Sequence, residues 1–165
     1  QTENLTTKEP DLSFVNRVDS MDSDADVVVV FGGTNDFGHG DAKLGTFESR
    51  DPYTFYGAMH VLCEKLINRF PNADILFMTP LHRCSEDEVS KENGLPEETN
   101  LAGYVSIIRE VAEFYGLPVL DLFSTSGLQP KVDIIKETYM PDGLHPSDAG
   151  ALRIARRLIG FLQTL

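Results

Sequence analysis

Asp26-Val27-Val28-Val29-Val30-Phe31-Gly32-Gly33-Thr34-Asn35-Asp36 is a continuous apolar, mostly β-branched run that stops at two glycines and passes into small polar residues. Apolar residues without alternation mark a strand buried on both faces, as in the centre of a parallel sheet. The carboxyl end of that strand then falls at residues 32–36, and in open α/β sheets ligands bind just outside such ends. There Asn35 can offer a side-chain N–H to a developing oxyanion, and the glycines clear side chains from the approach of a substrate. Turns favour Gly, Asn and Asp for conformational reasons alone, so the function of this stretch depends on a second one.

The second stretch is Asp142-Gly143-Leu144-His145-Pro146-Ser147-Asp148-Ala149-Gly150, which sets a carboxylate three residues before an imidazole and runs into an amphipathic segment. An acid-base histidine needs a partner that fixes its tautomer and stabilises the imidazolium. Asp142 can do this locally, because Gly143 permits a tight turn and Pro146 biases His145 away from helical angles. Ser147 reads as the N-cap of the helix that follows. Read alone, the Asp-x-x-His pair is equally compatible with ordinary loop residues beside a helix start.

Together the two stretches resemble the SGNH hydrolases, also called GDSL-type esterases and lipases. Gly33-Thr34-Asn35-Asp36 matches that family's Gly-x-Asn-Asp block, and 142–145 matches its closing Asp-x-x-His block. The resemblance implies that His145 is the general base, that Asp142 orients it and that Asn35 contributes to the oxyanion hole. Gly33 and Thr34 are expected to contact substrate. It also implies a three-layer α/β/α sandwich with a parallel sheet, the flavodoxin-like SGNH hydrolase fold, and no metal or organic cofactor.

The family's nucleophilic serine lies in a Gly-Asp-Ser block at the end of the first strand, and no such block occurs here. Ser13 and Ser20 fall in an amphipathic helix expected over 12–21, with Leu12, Val15, Val18 and Met21 on one face. Ser23 lies among Asp22, Asp24 and Asp26, where an alkoxide would be opposed. None follows a strand. The expectation is an N-terminally incomplete SGNH domain over 1–165, in which three of the family's five strands are visible and an apolar strand edge is open to aggregation or swapping.

With 165 residues and 41% hydrophobic content, the chain can bury a sizeable core as one domain. The net charge of −12 argues against nucleic acid and anionic membranes as partners. No stretch approaches the roughly 18 apolar residues of a membrane span. The two cysteines, Cys63 and Cys84, suggest no disulfide framework, which makes a reducing cytoplasm the default while leaving secretion open. Homo-oligomer formation also stays open.

Residues 37–50 read as a glycine-containing rim loop, in which His39 is a surface histidine. A helix is expected from Asp51-Pro52 to about Arg69, with Asp51 as N-cap and Tyr56, Met59, Cys63, Leu66 and Ile67 as its core face. His60 falls at the boundary of that face. A strand follows at 75–78, and His82 and Arg83 beyond it are candidates to contact a carboxylate of substrate or product. The acidic run 84–100 reads as a solvated excursion or a lid. Asn100 caps a helix to about Tyr115, 118–122 is the third strand, a short helix is expected near 132–135, and the last helix, from Ser147 to about Leu162, is expected to bury Leu152, Ala155, Leu158, Ile159 and Leu162.

The chemistry expected is that of a serine esterase acting through an acyl-enzyme on an ester of a small acid, with lipid, carbohydrate acetyl ester and thioester substrates all open. A non-catalytic binding module on the same scaffold is the competing expectation.

Overall fold

The computed structural model describes residues 13–39, 43–88 and 99–165. Its sheet contains β1 (Val27–Phe31), β2 (Asp74–Met78) and β3 (Val119–Leu120), all parallel and in the order β1-β2-β3. Val28 pairs with Ile75 and Phe31 with Met78, so the carboxyl ends of β1 and β2 are level. The segments that leave those two ends therefore emerge side by side.

Helices cover both faces of β2, as expected for a three-layer α/β/α arrangement. On one face, α1 (Phe14–Arg17), α3 (Phe55–Arg69) and α4 (Leu101–Phe114) pack on Val28, Ile75 and Phe77. On the other face, Leu76, Met78 and Leu120 meet Ile154, Leu158, Phe161 and Leu162 of α7 (Asp148–Leu162). Phe77 and Leu76 are 1% and 0% exposed and point to opposite faces of one strand. Burying a side chain of this size contributes about 1.5–3 kcal/mol, which makes β2 the axis of the fold.

β1 departs from the expectation of a central strand buried on both faces. Among the described residues it is an edge strand: Val28 is buried, whereas Val27, Val29 and Phe31 are 43%, 39% and 44% exposed. These three point to the same face as Leu76 and Met78, but α7 reaches only β2 and β3. The last helix shows the complementary departure. Leu158 and Leu162 are half-buried, but Leu152, Ala155 and Ile159 are exposed. An apolar stripe wider than the described sheet remains on both elements. On the opposite face, Phe14, Val18, Met21, Leu62 and Leu66 line an apolar groove of about 340 Å³ beside β1.

Further differences have local causes. The helix expected at 12–21 forms as α1 and a 3-10 turn (Val18–Ser20), with Val15 and Val18 buried; Leu12 lies outside the described residues. The segment after β1 is helix α2 (Thr34–His39), not a loop, and its exposed His39 ends it. Thr54, not Asp51, caps α3, accepting from the Gly57 amide at 3.1 Å. Asp51 forms the turn before it, its carboxylate accepting from Tyr53 N–H at 3.0 Å. Of the expected core face, Met59, Cys63 and Leu66 are buried. Phe55, Leu62 and His60 are buried, Tyr56 is half-buried, and Ile67 is exposed. β3 ends at Leu120 because Asp121 becomes the N-cap of α5 (Leu122–Thr125), accepting from Ser124 N–H at 3.2 Å. The short helix after it is α6 (Asp133–Tyr139). No helix among the described residues is long and apolar enough to cross a membrane.

Candidate active site

The turn at 142–145 forms from its own atoms. Asp142 Oδ1 accepts from the backbone N–H groups of Leu144 at 2.8 Å and His145 at 2.7 Å, and Asp142 Oδ2 lies 2.7 Å from His145 Nδ1. A carboxylate only accepts, so the His145 ring donates from Nδ1. The hydrogen bond from the imidazole, followed by those two amides, holds the Asp142 carboxyl far below the usual carboxylate range. Gly143 has φ +78°, a left-handed angle that suits glycine, and an added Cβ would lie 2.5 Å from Cys84 Sγ. Ser147 caps α7 as expected, accepting from Gly150 N–H at 3.3 Å.

Asn35 is placed by different means. Gly33 has φ +100°, and a Cβ on it would meet Ile108 of α4 at 3.1 Å and Pro80 at 3.3 Å. The strand therefore breaks where the backbone must turn between two packed neighbours, and Phe37 N–H closes onto the Gly33 carbonyl at 3.1 Å to start α2. Asn35 stands exposed in the first turn of that helix.

The two turns meet. Phe31, Gly32, Thr34 and Asn35 from β1 and α2, Pro80 and Leu81 from the end of β2, and Leu144, His145 and Pro146 line one cleft of about 200 Å³. Asn35, Thr34 and His145 are thus brought together, with Asp142 behind the imidazole and Gly33 buried just beneath the lining. The dyad is open to solvent, its side chains 75% exposed for His145 and 53% for Asp142. No serine or cysteine is among the described residues that line the cleft; the hydroxyl there is that of Thr34, within 3.5 Å of Arg83.

His82 and Arg83 do not line the cleft. His82 Nδ1 bonds Glu86 at 2.7 Å and its ring lies over Phe123 at 3.9 Å between centroids, while Arg83 turns toward Thr34, Ser85 and Phe37. They are internal connections, not groups presented to a substrate carboxylate. Glu86 also departs from the solvated excursion expected for the acidic run, since it is 7% exposed; residues 89–98 of that run lie outside the described residues. The residues that sequence reasoning missed are the apolar walls Phe31, Pro80, Leu81, Leu144 and Pro146. The only signal for Pro80 and Leu81 was their place immediately after a buried strand.

Cys63 is buried in α3 and its thiol is pushed up to about 12 by burial, whereas Cys84 is exposed; both are free. Among the described residues no three His, Cys, Asp or Glu side chains group in a way that could hold a metal ion.

Comparison with known proteins defines the class. The profile of the GDSL-like lipase/acylhydrolase family matches residues 4–153, and the chain belongs to that family. It is therefore an enzyme of the ester-hydrolysing type. A solved structure 39% identical to it superposes with a TM-score of 0.79 over 92% of this chain and 70% of its own length. A solved protein from Lactobacillus plantarum is 31% identical with a TM-score of 0.81, covering 91% of this chain and 72% of that one. A peptidoglycan O-acetylesterase shares the fold at 16% identity, with a TM-score of 0.65 over 92% of this chain and 40% of its own. No curated protein matches the chain.

Proposed function

We propose that the protein is a serine-dependent esterase that releases a small acid, such as acetate, from a carbohydrate ester. The observation that carries this reading is the shared cleft of His145 and Asn35, with Asp142 at 2.7 Å from His145 Nδ1. Nδ1–H held by a carboxylate leaves Nε2 basic toward the cleft, which is the state a general base requires. His145 takes the proton from a serine hydroxyl, the alkoxide attacks the ester carbonyl, and Asn35 donates to the oxyanion. His145⁺ then protonates the leaving alcohol. Water, deprotonated by the same imidazole, attacks the acyl-serine, and the imidazolium returns that proton to the serine oxygen as the acid leaves.

The reading requires a serine beside His145, and none is among the described residues that line the cleft. The free edge of β1 leads to the same end of the sheet, so a strand paired in parallel to it would end beside Gly32 and Asn35. Such a strand would also pair the free backbone edge of β1 and set its own side chains beside the exposed Val27, Val29 and Phe31. The cleft favours a small acyl group, since its volume is about 200 Å³ and Leu81, Leu144 and Pro146 wall it. The carbohydrate part of the reading leans on the fold shared with the peptidoglycan O-acetylesterase.

The test is to treat the natural protein with a fluorophosphonate, map the adduct by peptide mass, and follow acetate release from p-nitrophenyl acetate and from acetylated sugar oligomers. One serine adduct and acetate release, both lost in His145→Ala, are expected. Reversible ligand binding with neither adduct nor release would instead identify a binding module.

A further inference from the structure

The segment that leaves β2 touches both halves of the site from behind. Three of its consecutive side chains divide the work. Arg83 Nη1 donates to the Thr34 carbonyl at 3.3 Å and lies 3.5 Å from Thr34 Oγ1, with its guanidinium 5.3 Å from the Phe37 ring centroid. It thus spans the first turn of α2, the turn that carries Asn35. Cys84 N–H donates to the Gly143 carbonyl at 2.9 Å, and its sulfur packs on the bare face of Gly143. It thus seats the turn that carries Asp142 and His145. Between them Arg83 Nε donates to Ser85 Oγ at 3.1 Å.

Neither Arg83 nor Cys84 could hold its side without a fixed backbone, and that backbone is held by Glu86. Its Oε2 accepts from Arg83 N–H at 3.1 Å and lies 2.7 Å from His82 Nδ1. Its Oε1 accepts from Gln129 Nε2 and Lys131 Nζ, each at 3.0 Å. Its carbonyl accepts from Leu101 N–H at 3.1 Å, at the start of α4. Burial would raise this carboxyl, but the bonds from Gln129, Lys131, His82 and Arg83 outweigh it and keep it ionised. A buried carboxylate with this many donors is an anchor whose removal leaves several polar groups unpaired.

We infer that Glu86 is a positioning residue, which fixes the 82–86 turn so that Arg83 holds the Asn35 turn and Cys84 holds the Asp142–His145 turn at one spacing across the cleft. The two catalytic turns share no bond with each other among the hydrogen bonds described above. This bridge is the hydrogen-bonded link between them, beside the packing of Gly33 on Ile108 and Pro80, and a displacement of about 1 Å in such a site can cost about 100-fold in rate. The inference rests on the esterase reading for its kinetic consequence and stands apart from it for its structural one.

The test compares wild type, Glu86→Gln and Arg83→Met in the natural protein. Rates are expressed per active site titrated with fluorophosphonate, and amide hydrogen exchange is followed at Cys84, Leu144 and His145. Each variant is expected to lose about 10- to 100-fold in kcat, with KM within about 2-fold. Glu86→Gln is expected to speed exchange at those three amides without altering β2. Most of the Arg83→Met effect is expected to vanish in an Asn35→Ala background, because a residue acting through Asn35 has nothing left to act on. Unchanged kcat per active site in both variants overturns the inference, as do fully additive effects of Arg83→Met and Asn35→Ala with unchanged exchange. Wild type inactive toward esters and probe would instead defeat the esterase reading, and the exchange rates would still decide whether Glu86 braces the turns.

Discussion

The two halves of the site are built in opposite ways. The 142–145 turn closes on itself, with all three Asp142 hydrogen bonds reaching only two or three residues along the chain. The Asn35 turn depends on distant chain: Gly33 is pressed between Ile108 and Pro80, and Thr34 is held by Arg83, 49 residues away. A local turn tolerates changes in its surroundings, because its geometry is fixed by a few backbone angles. A turn held by remote packing is displaced by whatever moves its neighbours. Asp142 and His145 therefore keep their mutual geometry by themselves, whereas the seat of their turn on Cys84 and the whole Asn35 turn are sensitive to substitutions far from them.

Each half can be broken separately. His145→Ala is expected to have the largest effect, a fall of about 10⁶-fold in kcat, since the proposed mechanism loses both its base and its proton return. Asp142→Asn should cost about 10⁴-fold by leaving the imidazole in the wrong tautomer. Because the Asp142 carboxyl is depressed by the imidazole and two amides, its contribution to stability exists above the ordinary carboxyl value and disappears as pH falls through the folded one. The Asp142→Asn melting temperature should therefore differ from wild type at neutral pH and converge with it in strong acid. Asn35→Ala should cost about 100- to 1,000-fold in kcat with KM nearly unchanged, the signature of a group used in the transition state.

Smaller effects sharpen the contrast through stability. Gly33→Ala forces an L side chain into φ +100° against Ile108, and about 1–3 kcal/mol of destabilisation is expected from urea unfolding. Gly143→Ala carries a similar backbone strain and a sulfur 2.5 Å away, so the paired Cys84→Ala should recover part of its loss. The smallest effect belongs to His60, far from the cleft. It is fully buried in α3, its Nδ1 3.1 Å from the Tyr115 hydroxyl, which in turn donates to Glu64 at 2.8 Å. Burial, with a smaller contribution from Arg50, lowers its pKa below the ordinary 6.5. In the window between that value and the lower folded one, the unfolded chain binds a proton that the folded chain does not, so stability must fall as pH drops through it. His60→Gln should flatten that part of the stability profile.

The local half was legible because its cause is short-range. Asp142, Gly143, His145 and Ser147 carry in their order the hydrogen bonds that the structure shows, and the same is true of Asn100, which caps α4 by accepting from Gly103 N–H at 3.3 Å. The core face of α3 was less legible. Asp51-Pro52 is a good helix start by propensity, but Asp51 was used for the turn and Thr54 took the cap, while His60 is buried because Phe47, Phe114 and Tyr115 close over it. Glu86 was unreadable in the acidic run, since burial of one carboxylate among several depends on Gln129 and Lys131 arriving from 43 and more residues away.

By itself the sequence determined the parallel α/β class, the β1 run and its glycine break, and the Asp142–His145 pair, because apolar runs, turns and caps act between neighbours. Only the tertiary structure decided that β1 is an edge among the described residues, that Leu81 and Leu144 wall the cleft, and that Arg83 and Cys84 tie its two sides together. Those facts depend on which elements meet, and packing between segments tens of residues apart leaves no periodicity in either of them.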